Sequence, residues 1–128
     1  MKLLLDTHVF IWWADAPEHL SAAALAALED GSNELILSVA SVWELQIKIQ
    51  LGKLKLNVSL KDLVESQQAT NGVQLLPVEL AHVLALDALP LHHKDPFDRL
   101  LIAQSIAEGT TLVSTDSQLS AYPVTLLN

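Results

Sequence analysis

The chain has 128 residues, about half of them apolar, which suits one domain with a buried core and argues against disorder. It has no cysteine, so disulfides and thiolate metal sites are excluded and a reducing compartment is expected. Fifteen acidic residues against seven basic ones give a formal net charge of −8. That balance argues against strong non-specific binding to a phosphate backbone, while leaving room for an enzyme whose own acids hold a cation.

Lys2-Leu3-Leu4-Leu5-Asp6-Thr7 is an apolar run ending in an acid, the pattern of a buried strand that delivers a carboxylate to its C-terminal edge. In open α/β sheets, ligands sit in the crevice beyond the carboxyl ends of the strands. Val9 to Trp13 is predicted to begin a short helix, broken near Pro17. Ser21 to Leu28, rich in alanine and leucine, reads as a helix with Gly31 as its C-cap. Glu34 to Ser38 is a second strand. Ala40 to Leu51 is a helix capped by Ser38 or Ser41 and stopped at Gly52. Ser59 caps a helix running to about Thr70, and Asn71-Gly72 closes it.

Val73 to Leu76 is a third strand, Val78 to Leu86 a helix, and Ala88 to Lys94 a loop holding His92-His93. Asp95-Pro96 opens a helix ending at Glu108 and Gly109. Thr111 to Ser114 and Val124 to Leu127 are the last strands. Strands alternating with helices predict a parallel sheet covered on both faces, a three-layer α/β/α sandwich formed by residues 1–128 as one domain. No apolar run approaches the roughly 20 residues of a membrane span, and no basic segment with a cleavage site opens the chain; a soluble, cytoplasmic protein is expected.

Four acids stand out. Asp6 follows the first strand and serves either as a turn or cap residue or as a site acid. Glu44 shares a helix face with Trp43, Ile47 and Leu51, and could equally pair with Lys48 one turn on. In Asp95-Pro96-Phe97-Asp98-Arg99, Asp95 suits the N-cap and Pro96 the first helical position. Asp98 complements the helix dipole, but it also lines up with Leu101, Ile102 and Ser105, at the start of a buried helix. Asp116 repeats the pattern of Asp6, an apolar strand followed by a hydroxyl residue and an acid.

Two acids from strand ends and two from flanking helices would repel one another in one crevice unless a cation neutralised them. All-oxygen ligation is what Mg²⁺ or Mn²⁺ prefers, and such a site can activate water and stabilise the leaving oxygen of a phosphodiester. His92-His93 lacks the i,i+4 spacing of a helical zinc pair, and His8 is read as packed or partly exposed. Neither a GxSxG elbow nor a GxxxxGK[ST] loop is present, which excludes the serine-hydrolase and P-loop readings. Lys48, Lys53 and Lys55 form either a small phosphate-steering patch or a solvated helix end.

The chain resembles the PIN-domain ribonucleases, particularly VapC-type toxins of bacterial toxin–antitoxin pairs. The resemblance is carried in order by LLLDTHVFIWW (Leu3 to Trp13), LSVASVWELQIKIQLGKL (Leu37 to Leu54), DPFDRLLIAQS (Asp95 to Ser105) and TLVSTD (Thr111 to Asp116). It implies a Rossmann-like, PIN-like sandwich and a site in which Asp6, Glu44 and Asp98 hold Mg²⁺ or Mn²⁺, with Asp116 completing it directly or through water. Asp95 stays a cap or supporting residue, and Thr7 and Thr115 are supporting hydroxyls. The implied reaction is hydrolysis of RNA by in-line attack of activated water, leaving a 5′-phosphate and a 3′-hydroxyl. Lys48, Lys53 or Arg99 would meet the RNA backbone. The implied partners are a second copy, forming a homodimer, and a small antitoxin; Phe10-Ile11-Trp12-Trp13 is a candidate for either contact, and core packing is the alternative for part of it.

Two rival readings are distinguishable. A receiver or phosphatase-like domain would use Asp6 as phosphoacceptor, but it needs a paired acid beside the first strand and a late lysine, or a second Asp at the position of His8. A non-catalytic binding module would keep the fold and use its acids structurally.

Overall fold

The computed structural model describes residues 1–128. Its centre is β1 (Lys2–Leu5), flanked by β2 (Glu34–Ser38) and β4 (Thr111–Val113), with β3 (Gln74–Leu76) and β5 (Thr125–Leu127) at the edges. Every pairing is parallel, in the order β3-β2-β1-β4-β5. The chain first builds outward from β1 through β2 to β3, then returns to the other side of β1 as β4. The strand order therefore reverses beside β1, and a crevice opens at such a point in a parallel sheet.

Successive strand residues face opposite sides, and the apolar runs feed two cores. Leu3 and Leu5 of β1 join Leu35, Leu37 and Val113 in one core, under α1 (Thr7–Asp15), α2 (Ala22–Glu29) and Leu45 of α3 (Val39–Gln50). Leu4 and Leu112 face the other way, against Leu101 and Ile102 of α6 (Pro96–Glu108), together with Leu119 and Tyr122. Two helices complete the order, α4 (Leu60–Asn71) and α5 (Leu80–Ala85). This is the three-layer arrangement expected from the alternation of strands and helices. No helix is long and apolar enough to cross a membrane.

The helix starts follow cap chemistry. Ser21, Ser38 and Ser59 each accept a backbone N–H of the first turn, at 3.0–3.1 Å. Ser38, and not Ser41, is thus the cap of α3. Gly72 and Gly109 close α4 and α6 in the left-handed conformation. Gly31 does not cap α2: that helix ends at Asp30 in an extended conformation, and the turn is held by the Asp30 carboxylate accepting from Ser32.

Phe10 of the FIWW segment is fully buried, whereas Ile11, Trp12 and Trp13 are half-buried and pack against the edge of the same core. On α3 the buried residues are Ala40, Ser41, Glu44 and Leu45, while Trp43 and Leu51 are exposed. Glu44 therefore lies on the inward face with Ile47 half-buried, but without Trp43 and Leu51, the other two apolar companions expected for it. Both α1 and α6 pack against α3.

Gly109 has φ +67 and nothing within 4 Å of where a Cβ would stand. Gly109→Ala is expected to cost about 1 kcal/mol through backbone strain alone, measured by urea unfolding. A neutral result would show that α6 can end another way.

Candidate active site

Asp6 leaves β1 with its N–H donating to Val113 O at 3.0 Å, which extends the β1–β4 pairing by one residue. Its Oδ1 accepts from the His8 and Val9 backbone N–H groups at 2.7 and 3.3 Å, capping α1, and its Oδ2 accepts from Ser114 Oγ at 2.7 Å. The cap reading of Asp6 holds, and its carboxylate stands at the C-terminal end of β1 all the same. Thr7, the next residue, is buried and donates to Ser41 Oγ at 3.0 Å, which ties α1 to α3.

Glu44 stands one turn beyond Ser41 and is only 6% exposed. Its Oε2 pairs with Lys48 Nζ at 3.1 Å, the i,i+4 contact the sequence allowed. Its Oε1 is buried with no hydrogen-bond partner. A carboxylate oxygen in that condition carries a desolvation cost that a hydrogen bond or a cation would offset.

Asp95 caps α6 by accepting from the Phe97 and Asp98 N–H groups at 2.8 and 3.3 Å, and Pro96 follows in the first helical position. Asp98 lies within the first turn. Burial pushes its carboxyl up to about 7, and the charges of Asp95, Asp6 and Glu44 add to the rise, while His93 opposes it. Asp116 sits at the head of a 3₁₀ turn after β4 and caps it by accepting from Gln118 N–H at 2.9 Å. Burial pushes Asp116 up, but the hydrogen bonds from Gln118 and His93 and the nearby histidines outweigh it and leave the carboxyl below its ordinary value.

The tightest grouping of possible ligand atoms is His93, Asp98 and Asp116, all within 4.8 Å of one another. Asp6 and Glu44 lie outside that group, yet near enough for their charge to raise Asp98. His93 is the functional candidate that sequence reasoning passed over. Its Nε2 is 3.0 Å from Asp116 Oδ2 and 3.2 Å from Asp98 Oδ2. Spacing rules for paired histidines on one helix cannot find a loop histidine of this kind. The available signal was its place two residues before a helix cap.

Other expected contacts resolve differently. Arg99 donates through one terminal nitrogen to the carbonyls of Leu86 and Leu89 at 3.4 and 3.2 Å. The three lysines line two pockets that meet at Leu54. Lys48 and Lys53 line a pocket of about 220 Å³ together with Thr7, His8 and Leu54, whereas Lys55 lines the other. Trp43, 63% exposed, meets Phe97 edge-on at 5.4 Å, and each ring precedes a candidate site acid in the chain. A larger pocket of about 400 Å³, lined by Val42, Leu60, Val64 and Leu75 among others, includes none of the four acids.

The donor set suits a hard divalent cation. It is carboxylate oxygen without thiolate, it contains one orphaned buried oxygen, and it has one carboxyl whose ionisation the surrounding charges oppose. The molecule is thus an α/β protein of the kind that gathers carboxylates at the switch point of a parallel sheet, where they could hold a divalent cation. The family model of the PIN domain matches residues 3–124, and the chain belongs to that family. It is 32% identical over 129 residues to Ribonuclease VapC22 of Mycobacterium tuberculosis (strain ATCC 25618 / H37Rv), with 97% of each chain covered. Among solved structures it is similar to VapBC2 from Rickettsia felis bound to a DNA fragment from their promoter. There the TM-score is 0.77 and the identity 18%, over 100% of this chain and 98% of that one. It is also similar to VapBC-5 from Mycobacterium tuberculosis, a member of the VapBC family of toxin–antitoxin systems. That match has a TM-score of 0.60 and 14% identity, over 98% and 95% of the two chains.

The raised Asp98 carboxyl makes a thermodynamic prediction for the metal-free protein. Between the ordinary value of 3.8 and about 7 the folded state keeps a proton that the unfolded chain has lost, so stability falls as pH rises through that window. Asp98→Asn removes this penalty. In EDTA at about pH 8 the variant is expected to be more stable by about 2 kcal/mol, roughly half the full conversion because the side chain touches solvent. Near pH 4 the gap closes. Equal urea midpoints for the two proteins at both pH values would contradict the electrostatic account.

Proposed function

We propose that the chain is a divalent-metal-dependent endoribonuclease, the toxin of a toxin–antitoxin pair, working in the cytoplasm as one nuclease domain over residues 1–128. Asp98 and Glu44 carry this reading: a carboxyl raised to about 7 by burial and neighbouring acids lies near a buried carboxylate oxygen that has no partner. A structural ion pair leaves its acid satisfied, whereas here one oxygen of Glu44 stays buried without a partner beside its Lys48 contact, and Asp98 stays raised despite His93. The relationship to a ribonuclease along 97% of the chain supports the choice of RNA as substrate.

In this reading Asp6, Glu44 and Asp98 hold Mg²⁺ or Mn²⁺, and Asp116 completes the set directly or through water. Such an ion, when bound, activates water at neutral pH and neutralises charge on the phosphate under attack. The remaining work belongs to the protein. Ser114 Oγ and two backbone N–H groups fix the Asp6 carboxylate, and Lys48 fixes one oxygen of Glu44. Lys53, exposed at the pocket that Thr7 and Lys48 also line, supplies positive charge beside the crevice for an RNA phosphate.

The antitoxin is the expected protein partner, as in the VapBC systems that share the fold, and Ile11, Trp12 and Trp13 are half-buried residues it could cover. A second copy would cover Leu80 and Leu84, which are exposed one turn apart on α5.

The test is cleavage of purified RNA with Mg²⁺, with Mn²⁺ and with EDTA. Discrete fragments should need the metal, and Asp6→Asn should lower kcat by about 100-fold or more with the fold intact. Equal cleavage by the two proteins would mean either that the activity is a contaminant or that the acids are structural, and would favour a non-catalytic binding module. Lys53→Ala is expected to raise KM about threefold with little change in kcat and to flatten the salt dependence by about 0.7 in log–log slope, as for one lost phosphate contact on a single strand. An unchanged KM and slope would remove Lys53 from the RNA path.

A further inference from the structure

The Asp95 backbone N–H donates to His93 Nδ1 at 3.0 Å. A ring nitrogen that accepts a hydrogen bond carries no proton, so in the neutral ring the proton is on Nε2. Nε2 faces two carboxylate oxygens, Asp116 Oδ2 at 3.0 Å and Asp98 Oδ2 at 3.2 Å, and both are acceptors. The network is consistent with one tautomer, in which Nε2–H donates to Asp116 Oδ2 while Asp98 Oδ2 lies in ion-pair range of the same nitrogen. The loop that presents the ring is held as well, since the His93 N–H donates to the hydroxyl of the buried Tyr122 at 2.8 Å.

His93 thus joins three segments: the cap of α6 through Asp95, the first turn of α6 through Asp98, and the turn after β4 through Asp116. A nitrogen that bears a hydrogen cannot donate a lone pair to a cation. To ligate through Nε2, the ring would have to move its proton to Nδ1, placing N–H against the Asp95 N–H and breaking that bond. Close grouping with two acids is therefore not enough to make His93 a ligand.

We propose that His93 is a positioning residue: its ring, hydrogen-bonded to Asp116 through Nε2–H and in close contact with Asp98, holds the two acids in mutual register for the cation, and itself stays outside the coordination sphere. This role rests on the metal-dependent reading of the site. Histidine–carboxylate contacts that orient ligands in this way commonly change metal affinity by about 10- to 100-fold when removed.

The test combines the tautomer of the wild-type ring with metal binding by two variants. Long-range ¹H–¹⁵N spectra of His93 should show the Nε2–H pattern without metal and keep it in saturating Mg²⁺. In calorimetric titration with Mn²⁺, His93→Ala should bind about tenfold more weakly or worse. His93→Gln, whose amide N–H can still reach the acids, should stay within about threefold of wild type. Melting temperatures recorded alongside separate loss of register from loss of fold; if His93→Ala does not fold, the glutamine variant and the wild-type tautomer still decide. A switch to Nδ1–H on adding Mg²⁺, or equal weakening in the two variants, would make His93 a ligand and overturn the proposal. A wild type that binds no Mn²⁺ would overturn the metal reading itself, and this role with it.

Discussion

The Asp6 carboxylate is the constraint on which the rest of the site depends. Its position is fixed from three directions: the main chain binds β4, one oxygen caps α1, and the other accepts from Ser114. Those bonds join the end of the central strand, the start of the first helix and the end of the returning strand. Hydrogen bonds of a charged acceptor to buried donors are among the stronger ones in proteins, so this junction is rigid. Everything nearby is then placed relative to it, including Thr7, which ties α1 to Ser41 one turn before Glu44.

The same economy recurs at each acid. Asp95 caps α6 and its N–H orients His93, Asp116 caps a 3₁₀ turn and accepts from His93, and Glu44 pairs with Lys48 while keeping one oxygen unpartnered. Capping fixes a carboxylate without neutralising it. Burial, with repulsion from Asp95, Asp6 and Glu44 added to it, raises the Asp98 carboxyl to about 7. A cation placed beside an acid in that condition would favour its ionised form.

Much of this was legible in the sequence. Short apolar runs ending in Asp6 and in Thr115-Asp116 marked the central strands, because a strand buried on both faces has no polar alternation to obscure it. Serine caps and Gly109 marked helix ends through local chemistry that needs no tertiary context. Gly31 misled, because the Asp30 side chain supplies the turn that a left-handed glycine would otherwise make. The face of Glu44 was legible only in part: helix periodicity groups it with Trp43, Ile47 and Leu51, whereas Ser41 and Leu45 are buried beside it, Ile47 is half-buried, and Trp43 and Leu51 are exposed. His93 was missed for a further reason. Its partner Asp116 lies 23 residues away on another element, and only the return of the chain to β4 brings the two together.

The most direct test is a crystal of the protein soaked in Mn²⁺, with data collected at the manganese edge. The account predicts an anomalous peak at the C-terminal ends of β1 and β4, within about 2.2 Å of carboxylate oxygens from Asp6 and Asp98. No bond to His93 Nε2 is expected. A peak centred on the His93 ring, or none at saturating Mn²⁺, would contradict it.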